Sequence, residues 1–257
     1  MLRPLKSFDI KGQTILIRLD LNVPIADDII KDDFRIRACL PTINYCLSEG
    51  ASVVLMSHLG RPNGEYDEKF SLMPIGEHLA SLLEMPIKFS SDCISQDAID
   101  TSLSLKAGEV HLLENLRFYL EESSNDPDFA NKLSKHGRLY INDAFGTAHR
   151  AQASTYGVAE FADIACAGPL LAGELDALQR ALASPKRPMI AVVGGAKVSS
   201  KLEVLKNLAC SVDQLVVGGG IANTFLLAQD VNVGRSLCEP DLVSTAKALL
   251  ERTHVPL

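Results

Sequence analysis

A chain of 257 residues with 25 Lys and Arg against 32 Asp and Glu carries a formal charge of -7, and its 47% hydrophobic content suffices for one large domain or two smaller ones. That acidic balance argues against nucleic acid as the main partner, because binding a phosphate backbone needs a broad basic face. No apolar stretch approaches a membrane span, and no long apolar segment follows the charges of Met1 to Asp9. Neither a membrane helix nor a secretory signal is expected, and the expected location is cytoplasmic.

The first predicted strand is Thr14 to Ile17, short, apolar and rich in β-branched residues; it leads into Arg18. Arg35 to Ser48 has helical spacing. Val53 to Met56 is a second strand, leading into His58 and Arg61, and Pro74 to Leu83 a second helix with proline near its start. Val110 to Leu113 leads into Arg117, after which the Glu121-Glu122 pair reads as a solvated loop. Asp126 to Lys135 is a helix with Pro127 in its first turn and Gly137 just past its end. Leu139 to Ile141 is a strand leading into His149 and Arg150. Strand and helix alternate to about Ile164, which predicts a three-layer, doubly wound parallel sheet of Rossmann-like type.

Leu170 to Leu182, closed by Ser184-Pro185, predicts a connector helix. Beyond it the pattern restarts, with strands at Met189 to Val193 and Gln214 to Val217 and helices at Ser199 to Leu208 and Asp241 to Arg252. The expected division is a first domain over 1–168, a connector over 169–185 and a second α/β domain over 186–257. Two strands leave sheet edges and apolar faces bare, so this second domain is expected to be incomplete.

Ligands of open α/β sheets bind beyond the carboxyl ends of the strands. Four strands ending in arginine or histidine therefore point to a crevice for a multiply anionic small molecule. A single arginine in such a loop is ordinary surface, but the recurrence in an acidic protein looks placed. Asp20 and Asn22 suit hydroxyl and carboxylate recognition, with helix or turn capping as the competing explanation. In the second region, Gly194-Gly195-Ala196-Lys197 follows a strand, and Lys197 and Lys201 are spaced to reach one phosphate; a tight turn with two solvated lysines is the alternative. Gly218-Gly219-Gly220 suits either a flat slot for a nucleobase or close packing. The six cysteines make no metal or redox spacing and are expected to be reduced packing residues; no histidine shows metal-site spacing.

Taken in order, Ile17-Arg18-Leu19-Asp20-Leu21-Asn22-Val23-Pro24, Ser57-His58-Leu59-Gly60-Arg61-Pro62, Leu113-Glu114-Asn115-Leu116-Arg117-Phe118 and Asn142-Asp143-Ala144-Phe145-Gly146-Thr147-Ala148-His149-Arg150, with the two glycine clusters, resemble phosphoglycerate kinase over essentially the whole chain. Leucine at 19 and 21, where many members carry valine and phenylalanine, is a conservative departure. The resemblance implies phosphoryl transfer between 1,3-bisphosphoglycerate and ADP, giving 3-phosphoglycerate and Mg-ATP, by a monomeric glycolytic enzyme with Mg2+ bound to the nucleotide. It assigns the triose acid to Arg18, Asp20, Leu21, Asn22, Arg35, His58, Leu59, Gly60, Arg61, Arg117, His149 and Arg150. It assigns the nucleotide to Gly194, Gly195, Ala196, Lys197, Lys201, Gly218, Gly219 and Gly220, and the migrating phosphoryl group to Arg35, Lys197 and Lys201. The family's chain continues beyond the counterpart of Leu257, so the expectation for this chain is binding of 3-phosphoglycerate, poor binding of ADP and little or no turnover. A noncatalytic 3-phosphoglycerate-binding fragment is the alternative; a dinucleotide oxidoreductase lacks its glycine fingerprint.

Overall fold

The computed structural model describes residues 3–26, 29–183 and 185–252. Ser184, expected to close the connector helix, and His254, one of the histidines without metal-site spacing, lie outside the described residues. Two compact units divide the chain, Met1–Asp176 and Ala177–Leu257.

In the first unit the order is β1 (Thr14–Arg18), β2 (Ile25–Ala26), β3 (Ile29–Ile30), α1 (Phe34–Ser48), β4 (Ser52–Met56), α2 (Met73–Leu83), β5 (Ile87–Ser90), α3 (Gln96–Leu103), β6 (Val110–Leu113), α4 (Leu120–Ser124), α5 (Pro127–Ser134), β7 (Leu139–Asn142), α6 (Val158–Phe161) and β8 (Ile164–Ala167). Helix α7 (Pro169–Ala183) follows, and the division between units falls inside it. Six parallel strands form one sheet in the order β5-β6-β4-β1-β7-β8, while β2 and β3 pair as a separate antiparallel ribbon. Strand side chains alternate between faces, and here both faces are buried: Ile15, Ile17, Val53, Leu55 and Ile141 pack in one core, Leu16, Val54, Met56 and Tyr140 in another. This is the expected three-layer doubly wound architecture.

The chain leaves β1 for β4 on one side and reaches β7 on the other, with Arg18 paired in register to both Met56 and Asn142. The loops after these strands therefore open from one level at the point where the winding reverses. Short local signals complete the frame. Asp126 caps α5 by accepting from the Phe129 N–H at 2.9 Å, and Ser95 caps α3 from the Ala98 N–H.

The second unit adds β9 (Ile190–Gly195), α8 (Leu202–Ala209), β10 (Gln214–Gly218), α9 (Gly219–Ala228) and α10 (Val243–Arg252). Its two strands are parallel. Val193, Leu205, Leu215, Ile221, Phe225 and Ala246 share a core, whereas Ile190, Val192 and Val216 are exposed, Val192 to 76%. The segment read as one helix from Ser199 to Leu208 is a 3-10 turn, Ser199–Lys201, followed by α8, because the Lys201 backbone leaves helical geometry at φ -127°.

All six cysteines are free thiols. Cys39, Cys46, Cys93 and Cys166 are buried as expected, but Cys238 is only partly buried and Cys210 is exposed, at the carboxyl cap of α8. Among the described residues, no helix is long and apolar enough to cross a membrane.

Candidate functional site

Three loops are stitched together beyond the carboxyl ends of β1, β4 and β6. The fully buried Asn115 is the central clamp: its Oδ1 accepts from the N–H groups of Leu59 (3.1 Å) and Arg117 (3.0 Å), and its Nδ2 donates to the carbonyls of Leu59 and Phe70. Asn22 Oδ1 accepts from the Gly60 N–H at 3.0 Å, and the Arg117 guanidinium donates to the Gly60 carbonyl at 2.6 Å. Ser57 Oγ accepts from the Leu21 N–H and donates to the Leu19 carbonyl, both at 2.9 Å. With so many buried polar groups satisfied locally, the loop backbone has little freedom.

On this frame Arg61, Arg117 and Arg150 line one pocket of about 450 Å³, shared with Asn63, Ser123 and Gln152. Crowding is evident in the electrostatics. The Arg117 pKa is lowered by burial first and then by Arg150 and Arg18, with Glu122 opposing. His58 is pushed down to about 2, again by burial first and then by Arg18, Arg117, Arg150 and Arg35, so its imidazole is neutral. Like charges gathered in a partly dry pocket are relieved by an anion.

Arg18 is placed differently from the expectation. It was grouped with the arginines that meet the ligand, yet its side chain is 0% exposed. Its Nε donates to Ser154 Oγ at 2.8 Å, one terminal nitrogen donates to the Leu19 carbonyl, and the other faces His58 Nδ1 at 3.1 Å. A strand residue aimed into the packed layer cannot also line the crevice. Leu21 and Leu59 are likewise core residues, with the Leu21 N–H and both backbone groups of Leu59 already bonded. Arg35 lies on α1, half-exposed, in an ion pair with Asp20 at 2.9 Å; Asp20 Oδ1 also accepts from the Asn22 N–H. His149 is exposed beside Arg150.

Sequence reasoning missed the groups behind the crevice. Glu122, read as half of a solvated loop pair, lies in α4 and is buried; its two oxygens accept from Ser154 Oγ (2.6 Å) and the Ser154 N–H (2.9 Å). Adjacent acidic residues look alike in sequence, and only the packing of α4 turns one inward. Asp143 accepts from Thr42 Oγ1 and from the Leu171 N–H, with burial raising its pKa.

In the second unit the glycine clusters meet each other. The ends of β9 and β10 are bridged by Gly195 and Gly219. A Cβ on Gly220 would overlap the Ala196 carbonyl, and one on Gly219, at φ +67°, would stand 2.8 Å from the Gly195 carbonyl oxygen. Of the two readings, close backbone approach is the one visible at Gly219 and Gly220, while Gly194 and Gly218 face open space. Lys197 and Lys201 are exposed and do not share one α-helix, and Ser199 between them binds Glu239 through its N–H (2.9 Å) and Oγ (2.7 Å). Among the described residues, no group of three or more His, Cys, Asp or Glu side chains is placed to hold a metal ion.

A doubly wound parallel sheet with a guanidinium-lined crevice at its switch point places the chain among α/β proteins of the open-sheet class. The family model for phosphoglycerate kinase matches residues 5–256. Among solved structures, the phosphoglycerate kinase of Coxiella burnetii is 40% identical with a TM-score of 0.88, covering 100% of this chain and 66% of its own. The enzyme from Pyrococcus horikoshii OT3 is 36% identical with a TM-score of 0.85, covering 98% of this chain and 65% of its own. The chain belongs to the phosphoglycerate kinase family, and it spans about two thirds of the length of these solved relatives.

Proposed function

We propose that the chain takes part in reversible phosphoryl transfer between 1,3-bisphosphoglycerate and Mg-ADP, with the triose acid held in the first unit. The observation that carries this reading is the shared pocket of Arg61, Arg117 and Arg150 beside a neutral His58. On this reading the three guanidiniums take the triose phosphate, because planar forks match phosphate oxygens. Asp20 and Asn22 orient the acid end, and His58 donates one hydrogen bond. Arg35, held only by a partly exposed pair with Asp20, can turn toward a migrating phosphoryl group at little cost.

Chemistry of this kind needs charge neutralisation and alignment more than a protein nucleophile. Lys197 and Lys201 are the cations proposed for the transferring group on the nucleotide side, with the backbone of Gly194 to Ala196 and of Gly218 to Gly220 lying along the nucleotide. The ion arrives with the nucleotide, held by phosphate oxygens. The same reading makes the protein a cytoplasmic, monomeric enzyme of glycolysis.

Calorimetric titration with 3-phosphoglycerate tests the acid site: binding that is lost for glycerate, and weakened in Arg117→Ala, is expected. Equal heats for glycerate and its phosphate would overturn it. A second reading, a module that holds the acid without turnover, is favoured by the convergence lying wholly within the first unit. A coupled assay with 1,3-bisphosphoglycerate and Mg-ADP separates the two.

A further inference from the structure

Behind the crevice a buried polar chain runs to His58, and its other members, Glu122, Ser154 and Arg18, are not used by the mechanism above. Glu122 on α4, 1% exposed, accepts from both the N–H and the Oγ–H of Ser154; Ser154 Oγ accepts from Arg18 Nε; and an Arg18 terminal nitrogen faces His58 Nδ1. Ser154 is gripped on another side by Tyr140, whose hydroxyl donates to its carbonyl at 2.7 Å. Guanidinium nitrogens only donate. His58 Nδ1 must therefore be the unprotonated, accepting nitrogen, and the single proton of the neutral ring sits on Nε2.

We propose that Glu122 and Ser154 are positioning residues which, through Arg18, hold His58 as the Nε2–H tautomer and so keep its one ring N–H as a donor for an anionic oxygen in the crevice. Each link has a direction. The carboxylate orients the serine hydroxyl hydrogen toward itself, which turns the Oγ lone pair to Arg18 Nε and fixes the plane of the guanidinium fork. The fork in turn presents a hydrogen to Nδ1. Glu122 also places a negative charge near a guanidinium stripped of water, and it acts on Arg117 as well. Without it, Arg18 would lose the foremost of the charges that offset its burial. Without the serine, Nε would lose its acceptor and the Leu19 carbonyl alone would hold the fork, so that the hydrogen presented to Nδ1 would be less firmly aimed.

The identity of the anion rests on the proposed acid site, but the tautomer does not, since it is read with no ligand present. The whole chain, labelled with 15N at histidine, is examined by long-range 1H–15N correlation at pH 7, as wild type, Ser154→Ala and Glu122→Gln. Wild-type His58 is expected to show a protonated Nε2 and a bare Nδ1. Ser154→Ala is expected to give mixed tautomers and to weaken 3-phosphoglycerate binding about tenfold, the scale of one charge-assisted hydrogen bond. Glu122→Gln, which preserves shape, is expected to shift both readouts in the same direction by less, and it decides the matter if Ser154→Ala does not fold. A wild-type His58 protonated on Nδ1, or variants that keep the wild-type His58 shifts and affinity, would overturn the relay. Failure of 3-phosphoglycerate to bind a chain whose His58 is the Nε2–H tautomer would instead overturn the proposed acid site and leave the relay standing.

Discussion

The two units carry positive charge in opposite ways. In the first, Arg18 is fully buried and Arg117 partly so, each held by named hydrogen bonds and balanced by the inward Glu122. In the second, Lys197 and Lys201 stand in solvent, Lys201 ending a 3-10 turn and Lys197 just before it, and the built feature is backbone: Gly219 and Gly220 pressed against Gly195 and Ala196. A buried guanidinium must be satisfied by the fold or it destabilises the fold. An exposed ammonium is satisfied by water and waits for its partner. The first unit is therefore organised before any ligand arrives, through side chains, and the second mainly through its turns.

The contrast can be broken experimentally, most severely at Arg18. Arg18→Met is expected to cost about 3 to 5 kcal/mol, because it strands the Glu122 carboxylate in a dry layer. Urea unfolding followed by circular dichroism measures this, and a cost like that of a surface substitution would show that Arg18 is not part of a compensated set. Acid is the next lever. His58 and His111 have folded-state pKa values lowered to about 2 and about 4, and His136 is also lowered, burial being the first cause for all three. Because these folded values lie below the unfolded one, the histidines contribute stability that is present above about pH 6.5 and lost as pH falls toward the folded values. Stability is expected to fall by about 4 kcal/mol between pH 7 and pH 5, with His58 and His111 as the main source. A flat profile over that range would contradict their burial as neutral rings.

A third test addresses the second unit. Gly220→Ala puts a methyl group where the Ala196 carbonyl lies and is expected to cost about 1 to 3 kcal/mol, whereas Gly194→Ala meets nothing. Hydrogen exchange should show lost protection confined to β9, β10 and α9; loss spread equally through β1 and β4 would mean the packing reading is mistaken. The smallest effect is a null that sharpens the contrast. Lys197→Ala and Lys201→Ala are expected to leave 3-phosphoglycerate affinity within about twofold by calorimetry, since the pocket of Arg61, Arg117 and Arg150 is built wholly from the first unit, while Arg117→Ala weakens it about tenfold.

The main strands were legible because a parallel strand buried on both faces must be a short run of branched apolar residues, and Thr14–Arg18, Ser52–Met56, Val110–Leu113 and Leu139–Asn142 all are. Harder to see were β5, at the sheet edge with an alternating Ile-Lys-Phe-Ser, and α3, whose Gln-Asp-Ala-Ile-Asp-Thr-Ser-Leu has little apolar surface. Helix α9 was hidden by its own glycines, which were weighed as a slot or a packing contact yet form its first turn.

Order along the chain was enough to establish the alternation of strand and helix and the cationic loops after four strands, since these rest on local composition and spacing, while the family came from the resemblance of its ordered motifs. Which of those cations face the crevice and which lie behind it was not contained in spacing. Arg18 and Arg117 both follow short strands, and Glu121 and Glu122 are neighbours of the same type. They part company only when α4, the turn Ala153–Gly157 and β1 pack together, because the cost of dehydrating a charge is set by everything around it and not by its place in the chain.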